Sequence, residues 1–212
     1  MIRVLVADDH ALVRAGLKQI LGMTGEIEVV GEACNGQEVM AEARRTPCDI
    51  VLLDIGMPGR SGLDVLKQLR VEHPDVAVLM LTMYPEEQYA VRALRAGAAG
   101  YLTKDSGPEE LVSAVRKVAG GGRYVSMRTA ESLAFEVQGR FRQSPHESLS
   151  DRELQVLCMI ARGKTVKEVA EELTLSPKTV STYRARVLAK LRLKSNVDLA
   201  KYCLSQRLDQ PA

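Results

Sequence analysis

With 212 residues, 46% of them apolar and 26% charged, and a net charge of +2, the chain has an ordinary globular composition and a length that leans toward two small domains. No apolar run approaches the roughly 18 residues that cross a bilayer, and the N-terminus begins on a strand pattern rather than a secretion signal. Cys34, Cys48, Cys158 and Cys203 are scattered without metal-binding spacing, which suits a reducing cytoplasmic setting and argues against a disulfide or zinc framework.

In chain order, apolar, β-branched runs at 2–7, 27–33, 49–53, 76–81 and 99–102 alternate with helical patterns near 11–22, 36–45, 61–72, 86–96 and 108–118. Five such βα repeats with short connections predict a doubly wound parallel sheet, an α/β fold covered by helices on both faces. Breakers fall between the elements, with Gly97 and Gly100 around one turn and His73-Pro74-Asp75 before the fourth strand. The alternation stops at Gly120-Gly121-Gly122. From there to about Ser148 the composition is that of a linker, with one helix expected over Thr129–Val137.

After Leu149 the period is helical throughout, predicting a small all-α domain of four helices. Ser150 and Glu153 form a capping box, followed by Leu154, Leu157, Ile160 and Ala161 on one face. A second helix spans Val166–Leu173, and Ser176-Pro177 opens a third with stripe Val180, Tyr183, Val187, Leu188 and Leu191. Ser195 opens a fourth that carries Val197, Leu199, Ala200, Cys203 and Leu204. The link Thr174–Pro177 is a helix-turn-helix signature. Charge follows this division. Residues 1–118 hold 13 Lys/Arg against 17 Asp/Glu (−4), residues 119–148 hold 4 against 3 (+1), and residues 149–212 hold 12 against 7 (+5). A basic tail on an acidic body suits a polyanion-binding module.

The first and third strand patterns end on acids, Asp8-Asp9 and Asp54. In an open α/β sheet ligands gather beyond the carboxyl ends of the strands. Three acids there repel one another unless a cation joins them, and a hard divalent ion such as Mg²⁺ suits oxygen ligands. Thr82 ends the fourth strand and Lys104 follows the fifth, so both reach the same edge. Three carboxylates, a hydroxyl and an ammonium suit phosphoryl transfer to a carboxylate. Singly, Asp8-Asp9 would serve as a helix cap, Thr82 as a strand-end hydroxyl, Tyr101 as a half-buried aromatic and Lys104 as a solvated charge. Their convergence on one edge is what points to function.

These residues, with Asp54 in Leu-Leu-Asp-Ile-Gly-Met-Pro-Gly and Lys104 in Gly-Tyr-Leu-Thr-Lys-Asp, make residues 1–118 resemble the receiver domain of a two-component response regulator, a flavodoxin/CheY-like fold. The resemblance implies that Asp54 accepts a phosphoryl group from a sensor histidine kinase. It also implies that Asp9, Asp54 and the Gly56 carbonyl hold Mg²⁺, with Asp8 assisting through water, and that Thr82 and Tyr101 form the switch pair. The chain departs from many receivers in having Asp105, not Pro, after the lysine, so a cis peptide is not expected there.

Residues 148–210, by Leu149–Glu153, Ser176–Tyr183 and Lys190-Leu191, resemble a LuxR-type helix-turn-helix domain, and the whole chain is similar to the NarL/FixJ class of transcription regulators. With the apolar stripe on the core, Lys178, Thr179, Ser181, Thr182, Ala185 and Ala189 face outward, flanked by Arg184, Arg186 and Lys190. Lys178, Ser181 and Thr182 are assigned to bases and Arg184, Arg186 and Lys190 to phosphates of double-stranded promoter DNA. One small domain reads few base pairs, so a homodimer on paired half-sites is expected, with RNA polymerase as a further partner. Two alternatives stand beside this reading: a constitutive DNA-binding protein with a vestigial receiver, and an aspartate-nucleophile phosphatase. Phosphatases of that kind place a second acid two residues after the nucleophile, where this chain has Gly56, so an enzyme is not expected.

Overall fold

The computed structural model describes residues 1–127, 129–131, 133, 144–206 and 208, and the chain divides into two compact units between residues 134 and 135. In the first unit, β1 (Ile2–Ala7), β2 (Ile27–Ala33), β3 (Ile50–Leu53), β4 (Ala77–Thr82) and β5 (Gly100–Thr103) alternate with α1 (Ala11–Gly22), α2 (Gly36–Arg45), α3 (Gly62–Glu72), α4 (Glu86–Arg95) and α5 (Pro108–Ala119). All strand pairs are parallel in the order β2-β1-β3-β4-β5, a doubly wound sheet whose topology reverses beside β1. Boundaries agree with the sequence reading to about a residue. Asp49, expected in the third strand, precedes it and turns its carboxylate to the Arg3 backbone N–H (2.8 Å) and guanidinium (2.7 Å).

The short apolar runs become strands because both faces are covered. Val4, Val6, Ile50, Leu52, Leu79, Leu81 and Leu102 pack with Leu17 and Leu21 of α1 and Leu111 and Val115 of α5. The alternate residues Leu5, Val51, Leu53 and Met80 are buried as well. Fully burying each such side chain contributes about 1.5–3 kcal/mol. Helix starts are fixed by side chains: Asn35 accepts from the Gln37 and Glu38 amides, and Ser61 from the Leu63 amide.

The segment expected as linker from residue 119 is partly joined to the sheet, because Tyr124 forms a parallel bridge to Gly100 of β5. Met127, Thr129–Glu131 and Leu133 are helical. Residues 132 and 134–137 of the helix expected over 129–137 lie outside the described residues.

In the second unit a 3₁₀ turn (Pro145–Ser148) leads to α6 (Asp151–Ala161), α7 (Val166–Glu172), α8 (Pro177–Leu191) and α9 (Asn196–Gln206). Each helix starts at a hydroxyl that accepts an amide three residues on: Ser150 from Glu153, Thr165 from Glu168, Ser176 from Thr179 and Ser195 from Asp198. The α7–α8 link passes through Thr174 at φ +54°, and Arg192 at φ +56° ends α8. Leu154, Leu157, Val169, Leu173, Val180, Val187, Leu191, Leu199 and Cys203 are buried. Val197 and Leu204, read from sequence with the fourth helix's apolar set, instead stand 62% exposed. They lie off the stripe that Leu199 and Cys203 define at a spacing of four. Among the described residues no helix is long and apolar enough to cross a membrane.

Candidate functional site

Strand register brings the acids of the first unit together. Ala7 of β1 pairs with Leu53 of β3, so the next residues, Asp8 and Asp54, leave the sheet side by side. The ladder continues one step beyond the strands: the Asp8 amide donates to the Ala33 carbonyl (3.0 Å), that of Asp54 to Ala7 (2.9 Å) and that of Lys104 to Thr82 (2.9 Å). Close approach of α3 also holds the Asp54 turn. A Cβ on Gly62 would lie 2.0 Å from the Asp54 carbonyl oxygen, a distance only glycine avoids.

Asp8 and Asp54 are buried, at 2% and 5% exposure, and Asp9 is exposed. The Lys104 ammonium joins the two buried acids, 2.6 Å from Asp8 Oδ2 and 2.7 Å from Asp54 Oδ2. Burial alone would lower the lysine pKa; the charge and hydrogen bond of Asp54, then those of Asp8, outweigh it and hold the ammonium above the ordinary lysine range. Asp54 Oδ1 is buried without a hydrogen-bond partner among the described residues. A buried carboxylate oxygen left unmatched destabilises the site unless a ligand or cation meets it. Gly56 borders that carboxylate, since a Cβ built there would lie 3.5 Å from Asp54 Oδ2.

Thr82, the last residue of β4, is fully buried, and its Oγ1 accepts the Tyr84 amide at 3.4 Å. Tyr101 lies inside β5, 2% exposed, and its hydroxyl donates to the Tyr84 carbonyl at 2.8 Å. The backbone after Lys104 is trans, as the Asp at 105 leads one to expect.

His10 was missing from the sequence reading. Its Nδ1 lies 2.8 Å from Asp9 Oδ1 and 3.4 Å from Asp8 Oδ1, and its amide donates to Asp8 Oδ1. Asp8, Asp9 and His10 are the one His/Cys/acid cluster among the described residues compact enough to hold a metal ion. The run Asp-Asp-His was visible, but only the turn into α1 folds the imidazole back onto both acids. As a helix cap Asp8-Asp9 does not serve: the N-cap position is His10, with no side-chain cap bond.

On α8, Lys178, Ser181, Thr182, Ala185, Arg186 and Ala189 are exposed. The Thr182 hydroxyl donates to the Lys178 carbonyl (2.9 Å), and Thr179 belongs to the Ser176 cap. Two of the expected phosphate contacts are engaged within the unit. Arg184 Nε donates to Asn196 Oδ1 of α9 at 2.6 Å. Lys190 lies 2.6 Å from the buried Glu153 carboxylate and also donates to the Ser148 carbonyl. Burial opposes the Glu153 charge, but Lys190 and Ser150 hold its carboxyl below the ordinary glutamate range.

Comparison with known proteins gives matching results at both ends of the chain. Residues 4–116 match the family described as "Response regulator receiver domain". Residues 147–203 match "Bacterial regulatory proteins, luxR family". Over 209 residues the chain is 42% identical to response regulator UvrY of Escherichia coli (strain K12), covering 98% of this chain and 96% of that protein. It is 44% identical over 201 residues to response regulator GacA of Pseudomonas aeruginosa, covering 94% of each. Among solved structures, RcsB from Salmonella enterica serovar Typhimurium, bound to promoter rprA in the presence of phosphomimetic BeF3-, shares the fold. That likeness has a TM-score of 0.65 at 23% identity, over 95% of this chain and 97% of that one.

Proposed function

The chain belongs to the response regulators of two-component signalling, a receiver domain followed by a LuxR-type DNA-binding domain, and we propose that phosphorylation of Asp54 switches its binding to promoter DNA. The observation that carries this reading is the state of the Asp54 carboxylate: one oxygen held by Lys104, the other buried and unmatched, at the edge where Asp8 and Asp9 also gather. The phosphoryl donor is the phosphohistidine of a sensor kinase. An Asp54 oxygen attacks phosphorus, the P–N bond breaks, and its electron pair returns to the histidine. Lys104 then pairs with a phosphoryl oxygen in place of a carboxylate. The Thr82 hydroxyl closes on the phosphoryl group, and Tyr101 follows as its bond to Tyr84 is rearranged.

The unmatched Asp54 oxygen and the adjacent acids fit a hard divalent ion. Asp9, Asp54 and the Gly56 carbonyl would hold Mg²⁺, Asp8 would assist through water, and the ion would neutralise charge on the transferred group. His10 adds a ring nitrogen beside the two acids, a borderline donor that suits transition metals better than Mg²⁺.

The readout is α8 in the major groove of a paired half-site, bound by a homodimer that acts on RNA polymerase in the cytoplasm. Exposure favours Lys178, Ser181 and Thr182 as base-facing residues and Arg186 as the phosphate contact. Arg184 is held in part by Asn196 and Lys190 by Glu153 and Ser148, so each reaches phosphates through its remaining donors or by exchanging those partners; Thr179 positions the helix start. The domain limits that go with this reading are 1–118 for the receiver and 148–210 for the DNA-binding domain, with 119–147 between them. The test is intact-mass spectrometry after acetyl phosphate with Mg²⁺. One phosphoryl adduct, mapped to Asp54 and absent with EDTA, is expected. Slow, sustained turnover of phosphate with no adduct would favour the phosphatase alternative instead.

A further inference from the structure

We infer that the open edge of β5 is a docking surface whose occupant is this chain's own residues 123–127 with Thr129, a strap that the phosphorylation switch resets. The inference rests on the reading of Thr82 and Tyr101 as the switch pair. β5 is the last strand of the order β2-β1-β3-β4-β5, so its outer N–H and C=O groups form a pairing template. Tyr124 fills it. The Tyr101 amide donates to the Tyr124 carbonyl at 3.1 Å, and the Tyr124 amide donates to the Ala99 carbonyl at 3.0 Å. An added strand docks in this way, with backbone bonds supplying affinity and side chains specificity.

Gly100 makes the approach feasible. A Cβ at that position would sit 2.6 Å from the Tyr124 carbonyl oxygen and 3.0 Å from its Cβ. Glycine inside a strand is otherwise unfavourable, and close approach of another backbone is a recurring reason for it. Side-chain clips extend the contact to both flanking helices. The Tyr124 hydroxyl donates to Glu110 of α5 at 2.9 Å, and the Lys117 ammonium lies 5.7 Å from the Tyr124 ring centroid. The Thr129 hydroxyl donates to Glu86, the first residue of α4, at 2.6 Å.

The strap is built to release. Tyr124 packs half-buried against the core, beside a cavity of about 160 Å³ lined by Glu86, Tyr101, Leu102, Glu110, Val125 and Ser126, and directional bonds of modest net worth add to that hold. Tyr101 connects it to the pocket. That residue gives its backbone N–H to the strap and its hydroxyl to the Tyr84 carbonyl, whose own amide rests on Thr82. Movement of Thr82 toward a phosphoryl group therefore disturbs Tyr84, then Tyr101, then the bonds to Tyr124. The strap is also the stretch of chain that leads on to the DNA-binding domain.

Amide hydrogen exchange on the full chain tests this, with phosphorylation verified in the same samples by intact mass. In unphosphorylated wild type the Tyr124 and Tyr101 amides are protected. Gly100→Ala and, separately, Thr129→Val speed exchange at Tyr124 roughly fivefold or more, the effect of about one lost hydrogen bond, without slowing adduct formation on Asp54. Phosphorylated wild type shows a comparable change at Tyr124. Free-peptide exchange at Tyr124 in unphosphorylated wild type overturns the docking, as does wild-type exchange in both variants. Unchanged exchange in protein carrying the adduct overturns the coupling. If no adduct forms at all, the phosphoacceptor reading fails, and the variant arms still decide whether the strap is docked.

Discussion

Replacing Lys104 with Met removes the cation that joins Asp8 and Asp54 while keeping an unbranched side chain of similar length. At 2.6 and 2.7 Å, each ion pair carries a gross attraction of about 6 kcal/mol at an effective dielectric of about 20. Desolvating an ammonium only 10% exposed offsets much of that. Breaking such a buried pair typically costs about 3–5 kcal/mol, because the carboxylates are left uncompensated. Both acids sit at the mouth of the sheet, where water and ions reach the vacated space, so the lower end, about 3 kcal/mol, is expected. The slowest-exchanging amides of β1 and β3 should then exchange about a hundredfold faster at neutral pH in EDTA. Saturating Mg²⁺ should recover part of this loss, since a divalent ion supplies the missing charge. The pH dependence has a definite sign. The folded pKa of Lys104 is raised, so its stabilisation is complete below the ordinary lysine value and is lost as pH rises through the folded one. The deficit of the variant should therefore be constant through neutrality and shrink in alkali. A variant within about 0.5 kcal/mol of wild type, or one that Mg²⁺ stabilises no more than wild type, would refute the electrostatic account of the pocket.

Four other substitutions probe separate parts of the chain. Gly62→Ala places a Cβ against the Asp54 carbonyl and should destabilise the receiver by more than about 2 kcal/mol. Adduct formation on Asp54 should also slow; wild-type phosphorylation kinetics and melting would contradict the claimed close approach. Lys190→Ala strips the buried Glu153 carboxylate of its cationic partner, leaving the Ser150 amide, and should destabilise the DNA-binding domain by about 1–2 kcal/mol. Because Glu153 titrates below the ordinary glutamate range, that stabilisation is present above the ordinary value and lost as pH falls through the lowered one. Wild type and variant should therefore converge in acid, and parallel stability curves down to that range would count against the pair. Arg186→Ala should weaken DNA binding on all sequences and reduce the salt slope by about 1, whereas Thr182→Ala should alter discrimination among half-site variants. The opposite pattern in the two salt titrations would reverse the assignment.

The sheet was legible because its information is local and periodic: five bounded β-branched runs, each followed by a helical pattern, leave one topology class. The pocket was legible for a related reason, since Asp8, Asp54, Thr82 and Lys104 each sit within a residue of a strand end, and parallel register carries strand ends to one edge. What stayed hidden depends on contacts with no period. A single-residue bridge such as Tyr124 to Gly100 leaves no alternation to detect, so a glycine that admits a backbone looked like a turn breaker. The Lys190–Glu153 pair spans 37 positions and joins two residues that each had a sufficient local explanation, one as a phosphate contact and one in a capping box. Thr165 with Glu168 repeats that capping pattern and was readable from spacing alone. Val197 and Leu204 show the converse limit, because an apolar residue on an amphipathic helix is not thereby on its buried stripe.

The coupling between Asp54 and DNA is tested most directly by retention of sheared genomic DNA on wild type and on Asp54→Asn, each with and without acetyl phosphate and Mg²⁺. The account predicts that phosphorylation enriches a defined set of fragments on wild type and that the variant, with its binding helix intact, does not respond. Equal enrichment of the same fragments by both proteins would contradict it.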